Sequence, residues 1–202
     1  MGWPMADIYK ANRNVFALSR RFRRSGNVAS PMDFGILVAV TGVGRGWRVI
    51  EAGCGSGFLT AFLSNSVGQE GRIVTYEVRE EAVRIARSNL ALAGAENVEL
   101  VEGPLSVVEH EHPFDLACLD MRDADAALPG ITGALRKGGW VFVYSPFMEQ
   151  VAAVHRAAGD LPLKNIVTYE PLVREMHVDD RGTRGRTQFL GQARFLTFAQ
   201  KA

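Results

Sequence analysis

An α/β fold with a doubly wound, mainly parallel sheet and a C-terminal antiparallel hairpin is predicted by three observations in the 202-residue sequence. First, a short apolar run ending at Ala52 leads into alternating glycines, Gly53, Gly55 and Gly57. Phe58-Leu59 and Phe62-Leu63 follow at helical spacing, so the stretch reads as strand, tight loop and helix. Second, strand-like runs are separated by helical ones five times over, which is how a parallel sheet is built. Third, Asn165–Val178 and Arg186–Ala199 are β-rich runs with only Asp179 to Gly185 between them, and no helix.

Taken in order, apolar Ile8, Val15, Phe16 and Phe22 fall near helical spacing and predict an amphipathic helix from Ala6 to Phe22, ending near Ser25-Gly26. It packs on the domain or on a partner chain. A second helix follows Pro31, with Phe34, Leu37 and Val38 inward and Gly42, Gly44 and Gly46 closing it. Trp47–Ala52 is the first strand, Phe58–Val67 a helix and Arg72–Glu77 the second strand. An amphipathic helix runs from Glu80 to Ala93, with acids in its first turn and Gly94 at its end. Asn97–Val101 and Phe114–Leu119 are the third and fourth strands. A helix over Ala124–Arg136 is made irregular early by Pro129. Lys137-Gly138-Gly139 turns into a fifth strand, Trp140–Tyr144, and Pro146 starts a helix through Ala158.

The strand–glycine loop–helix unit is the nucleotide-binding half of a Rossmann-like fold, in which glycines allow a sharp turn and the amides opening the helix face the crevice. Two acids flank the loop. Glu51 would repel a pyrophosphate but suits the cationic methionyl end of S-adenosylmethionine, directly or through water. Glu77, ending the second strand, can accept hydrogen bonds from two ribose hydroxyls at once. The spacing therefore favours a methyl donor over a dinucleotide.

Composition fits one domain: 47% hydrophobic and 22% charged residues point to neither disorder nor a membrane protein. No apolar run approaches the ~20 residues of a membrane helix. The N-terminal residues carry Asp7, Lys10 and Arg13 in place of an apolar leader, so the expected location is cytoplasmic. Cys54 and Cys118 read as reduced and structural. His110 and His112 beside Pro113 read as solvent-facing, and no protein-held metal is expected. The net charge of +1 hides a division: residues 1–30 carry +5 and residues 174–202 carry +3, leaving −7 between them. Basic ends around an acidic pocket would suit a nucleic-acid-modifying enzyme, although Arg20, Arg21, Arg23 and Arg24 could equally solvate a helix end.

These residues resemble the class I S-adenosylmethionine-dependent methyltransferases, whose sheet has seven strands and such a terminal hairpin. More narrowly, the chain resembles the catalytic domain of the tRNA (adenine(58)-N1)-methyltransferases over about residues 30–200. The resemblance is carried by Ser30-Pro31-Met32-Asp33, Val49–Gly57 with Leu59-Thr60, Tyr76-Glu77, Leu119-Asp120-Met121, Tyr144-Ser145-Pro146 with Glu149-Gln150-Val151, Arg174–Val178, and Gly191 with Phe195-Leu196. The family's Tyr before Pro is Ser30 here, its Lys is Met32, and its His-Thr near the last strand is Gln192-Ala193. The roughly 30 residues before Pro31 are too few for the family's N-terminal β-rich domain, so the chain is expected to be one methyltransferase domain with a basic helical extension over 1–30.

The resemblance implies that S-adenosylmethionine is held by Glu51, Gly53, Gly55, Ser56, Gly57, Glu77, Val78, Glu102, Gly103 and Asp120, that tRNA is the acceptor, and that the enzyme is a homo-oligomer, tetramer or dimer. Glu102 would stand in for the acid that recognises the donor's adenine. Asp120 matches the family's catalytic Asp: adenine N1 becomes cationic on methylation, and a carboxylate at the exocyclic amine would stabilise that charge and take the proton. Asp120 could instead cap the following helix, a task open to Asp123. A methyltransferase for another acceptor and a non-catalytic donor-binding subunit are the competing readings.

Overall fold

The computed structural model describes residues 15–26, 28–105, 112–174, 176–185 and 194–202, with only the backbone of Phe16 and Ala17. Helices α1 (Val15–Ser19) and α2 (Pro31–Thr41) precede β1 (Arg48–Ala52), α3 (Phe58–Val67), β2 (Arg72–Glu77), α4 (Glu80–Ala93) and β3 (Val98–Glu102). Then come β4 (Phe114–Leu119), α5 (Ala124–Ala134), β5 (Leu135–Ser145), α6 (Met148–Gly159), β6 (Leu163–Tyr169), β7 (Met176–Asp179), β8 (Gly182–Gly185) and β9 (Phe195–Lys201).

Seven strands form one sheet in the order β3-β2-β1-β4-β5-β9-β6, parallel from β3 to β5 and antiparallel where β9 enters. Both faces are covered. Leu128, Ile131 and Val154 of α5 and α6 pack on one, and Leu37, Leu63 and Val67 of α2 and α3 on the other. With no solvated face, β1 and β4 are buried along nearly their whole length. Chain order reverses between β1 and β4, so the loops at their carboxyl ends diverge and leave a crevice.

Three expectations change in the folded chain. The first helix, within the described residues, stops at Ser19, and Ile8 lies outside them. Phe22 leaves the helix to bury its ring edge-on against Phe58 at 5.1 Å. Val15 and Phe22 are thus buried against Ala61 and Leu90 of their own chain. Secondly, β5 begins at Leu135 instead of after the Gly138-Gly139 turn, because Leu135 is buried and pairs with Phe114. The expected turn survives as an irregularity in register inside the strand, with Gly138 at φ +74°. Thirdly, the tail is not one continuous hairpin. β9 inserts between β5 and β6, while β7 and β8 form a separate two-stranded sheet. Pro171, which cannot extend a strand ladder, lies in the gap between β6 and β7. His112 is exposed as expected, whereas His110 lies outside the described residues, as do Arg186, Gly191, Gln192 and Ala193.

Helix α2 is fixed at both ends of its first turn. Ser30 and Asp33 form a reciprocal capping box, the Ser30 N–H donating to Asp33 Oδ2 at 2.7 Å. Asp33 Oδ1 also accepts from Arg194 Nε at 2.6 Å, both side chains being buried, which ties α2 to the residue preceding β9. Ser30, where the resemblance places a tyrosine, is thus spent on a helix cap. Arg194 Nη2 donates to its hydroxyl as well, at 3.2 Å.

Candidate active site

The crevice at the carboxyl ends of β1, β2 and β4 encloses about 510 Å³, within the ordinary range for small-molecule sites. Its geometry begins with the glycine loop. Gly53 and Cys54 both donate from their backbone N–H to Tyr76 O, at 2.9 and 3.1 Å, and Asp120 N–H donates to Ala52 O at 2.9 Å. These bonds draw three loops together. Gly53 has φ +86°, and a Cβ on it would lie 1.9 Å from the Asp120 carbonyl oxygen. Its lack of a side chain therefore lets the β4 loop pass, while a Cβ on Gly55, at φ +57°, would come no nearer to Gly53 O than 3.9 Å.

Glu77 is buried at the end of β2, and its carboxylate is aimed by backbone. Oε2 accepts from Gly55 N–H at 2.7 Å and Oε1 from Arg79 N–H at 3.0 Å. The Arg79 side chain adds longer contacts, Nε to Oε1 at 3.2 Å and Nη2 to Oε2 at 3.4 Å. Burial would raise this carboxyl, but the hydrogen bonds and charge of Arg79, with the Gly55 amide, hold it below the usual range. Glu77 is therefore ionised, an acceptor only, and pointed at the crevice. The Arg79 side chain is more than half exposed, unlike the carboxylate it meets.

Asp120 stands opposite. It is exposed to the crevice, yet the protein crowding around its carboxyl removes enough water to push its pKa up to about 6; Glu77 adds to this and Arg79 opposes it. It does not cap α5. Asp123 takes the N-cap position, although its side chain makes no capping bond. Glu51 lies behind the loop, its Oε2 accepting from Thr60 Oγ1 and Thr75 Oγ1, both at 2.6 Å. Burial pushes it up to about 7 against those bonds, with Asp120 and Glu77 contributing. Cys54 and Cys118 are free and buried. Burial lifts Cys54 to about 12, so it is no nucleophile near neutral pH.

Of the residues read from sequence, Gly53, Gly55, Ser56, Glu77, Val78, Gly103 and Asp120 line the crevice together. Glu51 and Gly57 stand behind the loop; Gly57 is the α3 N-cap, packed on Ala86. Glu102 is not brought in. Its side chain lies in a shallow surface groove with Glu80 and Arg84 of α4. The wall also holds Ser25, Arg79, Leu105 and Met121, which sequence reasoning missed. Arg79 and Met121 each lie within two residues of a recognised acid, a usable signal; Ser25 had none.

S-adenosylmethionine fits this chemistry: a fixed carboxylate for ribose hydroxyls, apolar Val78, Leu105 and Met121 for a base, and a buried acid behind the loop for a cationic end. The profile of the family described as methyltransferase domain matches residues 44–180. The chain belongs to that family and is an S-adenosylmethionine-dependent methyltransferase. Within it, the chain belongs with TrmI. It is 33% identical to the tRNA (adenine(58)-N(1))-methyltransferase TrmI of Thermus thermophilus over 86% of this chain and 69% of that one. It is 29% identical to a Methanocaldococcus jannaschii TrmI, named for adenines 57 and 58, over 96% and 78%. Among solved structures it superposes on a Thermotoga maritima S-adenosylmethionine-dependent O-methyltransferase with a TM-score of 0.86 at 27% identity, covering 94% of this chain and 71% of that one. For TrmI of Aquifex aeolicus the values are 0.79 and 25%, over 90% and 72%.

Proposed function

We propose that this enzyme methylates N1 of adenine in tRNA. The observation that carries the reading is Asp120, a carboxylate of raised pKa open to the crevice across from the ribose-binding acid. S-adenosylmethionine, when bound, supplies an electrophilic methyl group on a sulfonium. Glu77 would hold its ribose, Val78, Leu105 and Gly103 would bound its adenine, and Glu51 would balance its positive end from behind the loop. Asp120 would orient the acceptor's exocyclic amine, stabilise the positive charge arriving on the ring and accept the proton. Residues 1–202 would work as one catalytic unit, the part before Pro31 being an extension.

Phosphates would be gripped by Arg20, Arg21, Arg23 and Arg24, exposed ahead of Ser25, and by Arg181 and Arg184 of the β7–β8 hairpin together with Arg186, which lies outside the described residues. We read the enzyme as a homo-oligomer, supported by exposed apolar Leu172, Met176 and Val178 in and beside that hairpin. Light scattering giving a monomer at micromolar concentration would exclude this. Among the described residues no helix is long and apolar enough to cross a membrane.

A methyltransferase for another acceptor is the second reading, favoured by Ser30, which caps α2 where the resembling enzymes carry a tyrosine. Incubation with labelled donor and bulk tRNA separates the readings. 1-Methyladenosine in digested tRNA supports the first, label in other molecules the second, and donor binding without turnover would leave neither standing.

A further inference from the structure

Asn89 lies on α4 outside the crevice lining, yet it is buried and its amide is engaged on both sides. Oδ1 accepts from Arg23 N–H at 3.0 Å, and Nδ2 donates to Arg23 O at 2.9 Å and Ser56 O at 2.8 Å. A primary amide presents donor and acceptor side by side, as a strand edge does. Asn89 therefore pairs with the backbone of Arg23 as a neighbouring strand would, and its second N–H ties that pairing to the glycine loop.

The fastened stretch, residues 22–26, is anchored at one end by Phe22 on Phe58. At the other end Ser25 donates from its N–H to Ser56 Oγ at 2.8 Å, the two hydroxyls lying 3.0 Å apart. Ser25 and Gly26 thereby become wall of the crevice beside Gly55 and Ser56. A short segment without helix or strand has little tendency to hold its place alone, since fixing each residue's backbone costs about 1–2 kcal/mol. Its position depends on the contacts at Phe22, Arg23 and Ser25.

We infer that residues 22–26 form a strap closing the donor crevice and that Asn89 is its positioning residue, setting donor affinity through a segment about 66 residues away in sequence. The inference rests on the reading that this crevice takes S-adenosylmethionine. Exposed Arg21, Arg23 and Arg24 make the strap its own reporter, because trypsin cuts after arginine only where the backbone can leave its bonds.

The test uses the full chain, with S-adenosylhomocysteine as probe, followed by calorimetry and by the rate of tryptic cleavage within the strap. In the wild type, saturating probe should slow that cleavage at least tenfold. Asn89→Leu, which keeps the volume and removes the pairing, should weaken probe binding about tenfold and abolish the protection. In turnover, donor KM should rise while kcat stays within twofold. Phe22→Ala releases the strap from its other anchor without touching α4 and should do the same, which guards against a folding defect peculiar to Asn89→Leu. Wild-type probe affinity in a variant whose strap is cut rapidly overturns the inference. Failure of the crevice reading is distinct, because Glu77→Ala would then bind the probe normally.

Discussion

Glu77 at the crevice and Asp179 in the β7–β8 hairpin are both carboxylates surrounded by donors, but they are held by different means. Glu77 is buried and oriented by the N–H groups of Gly55 and Arg79, whose positions follow from the β1 and β2 loops. Asp179 accepts from Arg181 N–H at 2.9 Å and faces His177, Arg181 and Arg184 at 3.2 to 3.6 Å. Those three partners are largely exposed side chains, and among the described residues β7 and β8 pair only with each other. Backbone donors in a closed core are prepared before a ligand arrives. Flexible cations in water lose entropy and hydration on pairing, and each such pair contributes about 0–1 kcal/mol. The crevice acid is therefore fixed in place by its own fold, whereas the hairpin acid is held chiefly by exposed side chains.

The comparison would break most visibly at Asp120. Asp120→Ala should lower methyl transfer by about 10²–10⁴-fold in single-turnover assays at saturating donor. Transfer by the wild type should rise with pH as this carboxyl ionises, with a midpoint near 6. A profile flat between pH 5 and 7, or a variant of normal rate, would remove Asp120 from the chemistry.

Glu77→Ala comes next. Losing two charge-assisted bonds of about 1.5–3 kcal/mol each should weaken donor binding by at least about 10²-fold. Normal affinity in calorimetry would mean that the ribose lies elsewhere.

Glu51 offers a pH test of the buried side. Its folded pKa is raised from 4.5 to about 7, so the folded chain holds the proton more tightly than the unfolded one. That contribution is fully present below pH 4.5 and is lost as pH rises through 7, by on the order of 3 kcal/mol. Glu51→Gln should flatten this part of the stability–pH curve in denaturant titrations. An unchanged slope would show that folding does not raise the Glu51 pKa.

The smallest effect is expected at the hairpin. Replacing Arg181, Arg184 and Arg186 together by Ala should leave the melting temperature within about 2 °C and donor affinity unchanged. The log–log salt dependence of tRNA binding should flatten by about 0.7–0.9 per lost contact. A wild-type slope would take the hairpin out of RNA binding and leave the comparison without its functional half.

What the sequence determined by itself was local. Alternation and helical spacing located β2, α3, α4 and β4 to the residue, because each depends on which side chains share one face of one element. The glycine loop and the acid ending β2 were legible for the same reason, lying within one strand–loop–helix–strand unit. The start of β5 was misread because glycines at 138 and 139 look like a turn, whereas the buried pairing of Leu135 with Phe114 draws the chain into the sheet earlier. Folding alone decided the contacts made across the chain: Asn89 on Arg23, Arg194 on Asp33, β9 between β5 and β6, Glu51 behind the loop and Glu102 turned away from it. Arg194 and Asp33 are 161 residues apart, and nothing in the spacing of either announces the other. A hydrogen bond or ion pair of that kind requires only that two complementary groups arrive at one buried point, and which groups arrive there is set by how helices and strands stack.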